Sequence, residues 1–396
     1  MKKIIVVYFL CLFFYTVNGQ NSTDIIIGKT DHVYSEILHE QRKIMVYVPE
    51  NNPYDKNTYP VVYLLDGDAH FYSVVGMIRQ LSSVNGNTIC PKMIVVGISN
   101  TNRTRDLTPT KGEVENSGGG ENFISFVEKE LIPHIDTNYP TTTYRTFIGH
   151  SLGGLTVMNT LVNKPHLFNA YVAIDPSMWW NKKNLLNKIK SAEFNSKHNN
   201  KTLFLGIANT MSKGLNIKSV LKDTTSKTAH IRAILELNSY LETQTELSFK
   251  GKYYENDDHG SVPLITTYDA LRYIFNFYRF KLKQEDYINP EIDILGKVEN
   301  YYKRLSKGFG VEIRPDEGYV NSIGVILLRK KQFKKAAQFF NLNIKNYPES
   351  FNAYESIGDL YLATGNKEKA IKNYKKAISL NDDVFLKAKL LELEKK

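Results

Sequence analysis

The chain has 396 residues, with 51 Lys and Arg against 41 Asp and Glu, a formal net charge of +10. A content of 42% hydrophobic and 23% charged residues is that of a globular protein and excludes a disordered or fibrous one. The lysines are scattered and densest among helical residues near the C-terminus, with no basic helix-turn-helix or aromatic RNA-binding signature, so nucleic acid is not an expected partner. No zinc spacing such as H-E-x-x-H is present, and no metal or cofactor is implied.

Lys2 and Lys3 precede an apolar run over 4–15, with small residues near Gly19. This reads as a secretory signal peptide over 1–19, because the run is shorter than the ~20 residues that span a bilayer. Cys11 lies inside that run, after Leu10 rather than after the small residue a lipoprotein site would carry. The expectation is a periplasmic or secreted protein with no membrane span after cleavage. Cys90 is then the sole cysteine, so no internal disulfide forms and the fold must rest on its apolar core. Roughly 375 remaining residues exceed what one core holds, which predicts two domains, over 20–283 and 284–396.

From Gln20 to about Arg279, short β-branched runs alternate with amphipathic stretches, the pattern of a mostly parallel sheet covered by helices. Strands are expected over 43–48, 61–65, 93–98, 146–149, 170–174, 203–207 and 247–254. Several are continuously apolar, as strands buried on both faces should be. Helices are expected over 122–135, 152–163 and 228–244.

After about Lys283 the chain repeats itself every 34 residues: Ile323-Gly324 recurs as Ile357-Gly358, Leu327 as Tyr361, Ala336 as Ala370 and Phe340 as Tyr374. This resembles tetratricopeptide repeats, in which small residues let two antiparallel helices pack closely while aromatics fill the space between hairpins. Asn343 departs from the pattern where a small residue is usual. Two hairpins are fewer than a stable stack needs, so helices around 292–305 and from Val384 are expected to complete it. The repeats read either as a packing appendage over the first domain or as a groove for a protein partner.

The segment Thr146-Phe147-Ile148-Gly149-His150-Ser151-Leu152-Gly153-Gly154 has the form strand, G-x-S-x-G, helix. A chain turning this sharply at Ser151 needs glycines at Gly149 and Gly153, and the turn exposes the hydroxyl above the sheet edge. The helix beginning at Leu152 aims free N–H groups at the same spot, so the Leu152 amide can hold an oxyanion. Ser151 is therefore the expected nucleophile of an acyl transfer. Its base should follow the last strand, and of the four histidines after Ser151 only His259 does. His166 and His198, in polar helix–loop stretches, and His230, within the helix 228–244, each read as a surface or packing residue. The orienting acid is expected after the strand 203–207, where the first carboxylate is Asp223. Glu236, Asp257 and Asp258 are alternatives, and a Ser–His dyad is a further one. The Asp66-Gly67-Asp68 segment after the strand 61–65 supplies the other oxyanion donor, the Asp68 amide. Trp179 and Trp180 are read as a substrate wall or as packing, and Arg105-Asp106 as a loop-holding ion pair.

Taken together, Leu64-Leu65-Asp66-Gly67, Arg105-Asp106-Leu107-Thr108-Pro109, Gly149–Gly154, Asp175-Pro176-Ser177-Met178-Trp179-Trp180 and Asp258-His259-Gly260-Ser261-Val262-Pro263 resemble the putative-esterase family. That family includes esterase D, siderophore esterases, feruloyl esterases and mycolyltransferases. Over residues 25–280 the resemblance implies an α/β-hydrolase fold, a Ser151/His259 pair and an oxyanion donor at Asp68. The missing acid just after Ile207 is the departure. The expected activity is hydrolysis of a small-molecule ester, siderophore or carbohydrate-linked; the rivals are an acyltransferase and a catalytically weak scaffold that works through its repeats.

Overall fold

The computed structural model describes residues 25–50, 57–191, 194 and 196–395. The leader read over 1–19 lies outside them. Among the described residues, no helix is long and apolar enough to cross a membrane.

Eight strands form one sheet: β1 (Lys29–Ser35), β2 (Glu40–Tyr47), β3 (Tyr59–Leu64), β4 (Ile94–Ile98), β5 (Thr141–His150), β6 (Ala170–Ile174), β7 (Thr202–Ala208) and β8 (Ser248–Tyr254). Their order is β1-β2-β4-β3-β5-β6-β7-β8. The β1–β2 and β2–β4 pairs are antiparallel, and the six strands from β4 to β8 in that order run parallel. Parallel neighbours need crossover helices, which cover both faces. Strand β3 and strand β4 are accordingly buried throughout.

One-turn segments aside, the sheet region carries α1 (Gly67–Ser82), α2 (120–138, with one π turn), α3 (Leu152–Asn163), α4 (Trp180–Ser191), α5 (Ala229–Leu241) and α6 (Val262–Ile274). Val62, Leu64 and Val172 face α1 and α6, where Phe71, Val74, Val75 and Ile78 form the apolar stripe of α1. Val61, Tyr63 and Phe147 point the other way, toward α2, α3, α4 and α5. Each aliphatic side chain so buried contributes about 1.5–3 kcal/mol. Cys90 is free and buried.

The remainder is helical: α7 (Ile294–Phe309), α8 (Glu317–Arg329), α9 (Phe333–Asn346), α10 (Phe351–Ala363), α11 (Lys367–Leu380) and α12 (Val384–Lys395). The 34-residue period is visible in the packing. A Cβ on Gly324 would stand 2.4 Å from the Phe340 ring, and one on Gly358 2.4 Å from the Tyr374 ring. Asn343, buried where the next repeat has Ala377, donates its side-chain amide to the Glu317 carbonyl at 3.0 Å and so ties α9 to α8. The two regions meet at the end of α7, where the Phe309 ring lies 5.3 Å from Tyr144, 5.2 Å from Phe277 and 6.5 Å from Phe275.

Candidate active site

The parallel strands all end at one edge, and three of the residues just beyond them are forced into left-handed backbone. Asp66 after β3 has φ 53°, Ser151 after β5 has φ 59° and ψ −116°, and Asp175 after β6 has φ 42°. Such geometry costs a non-glycine residue energy and survives only where its surroundings hold it. At Ser151 the holding contacts are the Ser151 amide on the Ile174 carbonyl (2.9 Å) and the Ser177 amide on the Ser151 carbonyl (3.0 Å). Gly149 admits the turn, since a Cβ there would lie 2.4 Å from the Gly153 carbonyl oxygen. The Ser151 hydroxyl stands 3.3 Å from the Ser177 hydroxyl at the start of α3, whose first amides lack intrahelical acceptors.

The buried Asp175 carboxylate is the centre of the polar network. Its Oδ1 accepts from the Ala208 amide at 3.0 Å, while Oδ2 accepts from both His259 Nδ1 at 2.6 Å and His230 Nε2 at 2.8 Å. Burial by itself would raise this carboxyl, but the His230 and His259 hydrogen bonds outweigh it and hold the group well below the usual carboxylate range. With Nδ1–H of His259 given to Asp175, Nε2 is the ring's proton-accepting nitrogen. The His150 ring lies 4.4 Å from that of His259, tilted by 43°, and His70 meets His150 edge-on at 6.0 Å. Burial first, then the neighbouring His259 and His70, lower His150 to about 4.

The carboxylates expected beside His259 are engaged elsewhere. Asp223 accepts from the Thr225 hydroxyl at 2.8 Å and the Thr228 hydroxyl at 2.7 Å, closing a turn before α5. Glu236 pairs with Lys183 and Lys190. Asp258 accepts the Gly260 and Ser261 amides, both at 2.9 Å, and Asp257 the Ser261 hydroxyl at 3.0 Å, which shapes the loop without touching the imidazole. Among the described residues, the carboxylate hydrogen-bonded to His259 is not Asp223 but Asp175. That residue ends a continuously apolar strand in a segment already singled out by its motif, and a carboxylate at the functional edge of the sheet was the available signal.

Asp68 lies in the first turn of α1, and its carboxylate accepts from Lys43, the Ser99 hydroxyl and the Asn100 amide. Asp66 is clamped by Arg103 through bonds of 2.6 and 2.9 Å, and the same guanidinium reaches the His150 carbonyl at 3.3 Å. This ties the β3 loop to the serine turn. The Arg105–Asp106 pair joins Arg42 and Glu40 in a half-buried ion network that holds its loop. Trp179 is 44% exposed, whereas Trp180 is 6% exposed and donates its indole N–H to the Thr110 carbonyl at 3.1 Å. Of the pair, Trp180 is a packing residue and only Trp179 is open to a substrate.

Asp175, His230 and His259 bring three possible metal-ligand atoms within 4.8 Å of one another. Ligands around a shared tetrahedral zinc stand roughly 3.3 Å apart for bonds of ~2.0 Å. The 2.6 and 2.8 Å separations found here are those of hydrogen bonds.

Residues 35–261 match the model of the putative esterase family, and residues 351–384 that of a tetratricopeptide repeat. The ferri-bacillibactin esterase BesA of Bacillus subtilis is 30% identical over 211 residues, 48% of this chain and 73% of the other. A siderophore enterobactin esterase of Emericella nidulans is 29% identical over 163 residues, 35% of this chain and 54% of that one. Among solved structures, an IroE-like serine hydrolase from Shewanella oneidensis is 30% identical with a TM-score of 0.63, covering 80% of this chain and 98% of its own.

Proposed function

The chain belongs to the putative esterase family of α/β-hydrolases and is a carboxylic ester hydrolase; from that premise we propose that it cleaves siderophore esters through Ser151, His259 and Asp175. The observation that carries the mechanism is the 2.6 Å bond from His259 Nδ1 to buried Asp175 at the sheet edge where Ser151 sits on its strained turn. His259 Nε2 takes the Ser151 proton as Oγ attacks the ester carbonyl carbon. The Leu152 and Asp68 amides hold the resulting oxyanion. His259 then returns the proton to the departing alkoxide, leaving an acyl-enzyme. Water, deprotonated by the same nitrogen, attacks that ester and frees the acid and Ser151. Asp175 keeps Nδ1 protonated and steadies the imidazolium.

The substrate class rests on the relatives that act on ferri-bacillibactin and enterobactin. Trp179 offers an open aromatic face beside the site, and the chain's net positive charge, +10 with the leader and +8 without Lys2 and Lys3, suits an anionic chelate. The apolar run at 4–15 supports export to the periplasm or beyond, which N-terminal sequencing of the mature protein checks. The helical region past about Lys283 is a separate unit that shields the α/β region where Phe309 docks.

The deciding experiment compares a catecholate trilactone siderophore, iron-free and iron-loaded, with p-nitrophenyl acetate and butyrate. Preferred cleavage of the trilactone is expected, with Ser151→Ala inert on all. Turnover of aryl esters alone would sink the substrate assignment and leave the mechanism standing.

A further inference from the structure

His230 has no part in a three-residue relay, yet its Nε2 donates to the same Asp175 oxygen, Oδ2, that receives His259 Nδ1. Its ring stands 5.2 Å from that of His259 and nearly perpendicular to it, at 85°. His230 comes from the first turn of α5, whereas Asp175 follows β6 and His259 follows β8. Three separate elements therefore converge on one oxygen atom. Its own side chain is 21% exposed and that of Asp175 fully buried, so His230 covers the carboxylate on the side away from the Ala208 amide.

We propose that His230 is a positioning residue of the esterase: by sharing Asp175 Oδ2 with His259, it fixes the carboxylate and divides the pull that the carboxylate exerts on the base. This rests on the reading of Asp175 as the orienting acid. A carboxylate held by the Ala208 amide alone on one oxygen would be free to tilt; two imidazoles on the other define both the direction and the depth of Oδ2. The second donor also draws off part of the negative charge. With it removed, the whole charge faces His259, and the charged imidazolium is favoured. Among the described residues, the other charged or titratable groups about His259 include His150, at 4.4 Å between ring centroids, and Asp257 and Asp258 on its own loop. None of these is removed by substitution at position 230.

The test uses the full chain and a simple aryl ester, with kcat and KM measured from pH 5 to 9. His230→Leu removes the donor; His230→Gln keeps an amide N–H near the position of Nε2; His230→Asn carries the same amide one carbon short. For His230→Leu and His230→Asn the acid limb of kcat/KM should move to higher pH, by up to about one unit. Their plateau kcat should fall about tenfold, as on loss of one hydrogen bond to a charged group, with KM little changed. His230→Gln should restore both. A limb at the wild-type position in all three variants overturns the proposal, and so does a Gln variant as impaired as Asn, which would mean that the ring merely fills space. Asp175→Asn serves as the separate control: full turnover in that variant would refute the orienting acid itself rather than its second partner.

Discussion

The two regions of this molecule use regularity in opposite ways. At the C-terminal edge of the sheet, Asp66, Ser151 and Asp175 all take left-handed backbone without being glycine, each pinned by hydrogen bonds from a different element. In the helical repeats from Glu317 onward, Lys331 alone among the described non-glycine residues does so. There the repeated Gly–aromatic pairs, Gly324 with Phe340 and Gly358 with Tyr374, build the same contact twice. At the proposed site strained residues stand at three strand ends, while in the repeats one contact recurs where surfaces need only to fit.

The largest effect that would break this contrast is at the serine. Ser151→Ala should lower aryl-ester turnover by on the order of 10³-fold or more, with thermal unfolding nearly unchanged. Equal activity in the variant would detach the strained turn from the chemistry.

Next comes the acid. Asp175→Asn should cost on the order of 10²-fold or more in kcat, since it removes the acceptor that fixes the imidazole, while Asp223→Asn should leave kcat within about twofold. Steady-state kinetics of the two side by side decide it. A crippled Asp223 variant beside an active Asp175 variant would reverse the assignment.

A third prediction concerns pH and stability. Burial lowers His150 to about 4 in the folded chain, against 6.5 in the unfolded one. Between those values the unfolded chain binds a proton that the folded chain refuses, so stability is lost as pH falls through that window, by at most about 3 kcal/mol. Denaturant unfolding at pH 7.5, 5.5 and 4.5 should show that slope in the wild type and a flatter one in His150→Gln. Parallel slopes would mean that the histidine does not feel its burial.

The smallest effect belongs to the repeats. Gly358→Ala places a methyl against the Tyr374 ring and should cost about 1–3 kcal/mol of overpacking, seen by calorimetry as a lowered transition for the helical region. Aryl-ester turnover at 25 °C should not change. A matching loss of turnover would show that the two regions act as one.

Much of this architecture was legible in the chain. The seven strands read from apolar runs are all present, and the G-x-S-x-G turn stands where its flanking strand and helix put it. Strand β1 escaped because Lys-Thr-Asp-His-Val-Tyr-Ser is an edge strand with few buried residues, so it lacks the apolar run. Helix α1 carries its stripe, with Phe71, Val74, Val75 and Ile78 at helical spacing, yet it is not among the helices expected from the sequence. The expected acid, Asp223, follows β7, whereas the carboxylate that bonds His259 follows β6. Which carboxylate meets His259 depends on how far each strand reaches, and β6 delivers Asp175 to that level with its amide on the Gly206 carbonyl at 2.8 Å. His230 left no trace in the periodicity, because a polar residue in the first turn of a helix is ordinary until tertiary packing supplies its partner.

Placing the acid after β6 also changes what the next loop is free to become. Among the described residues, 209–228, between β7 and α5, contribute no hydrogen-bond partner to either His259 or Asp175; Asp223 within them bonds its own turn and Arg232 of α5. On the proposed assignment, insertions and deletions there leave the relay untouched as long as the Asn209 amide keeps its bond to the Asp257 carbonyl, 2.8 Å away. On that assignment, evolution or an engineer can change the length and composition of this loop without having to rebuild the catalyst.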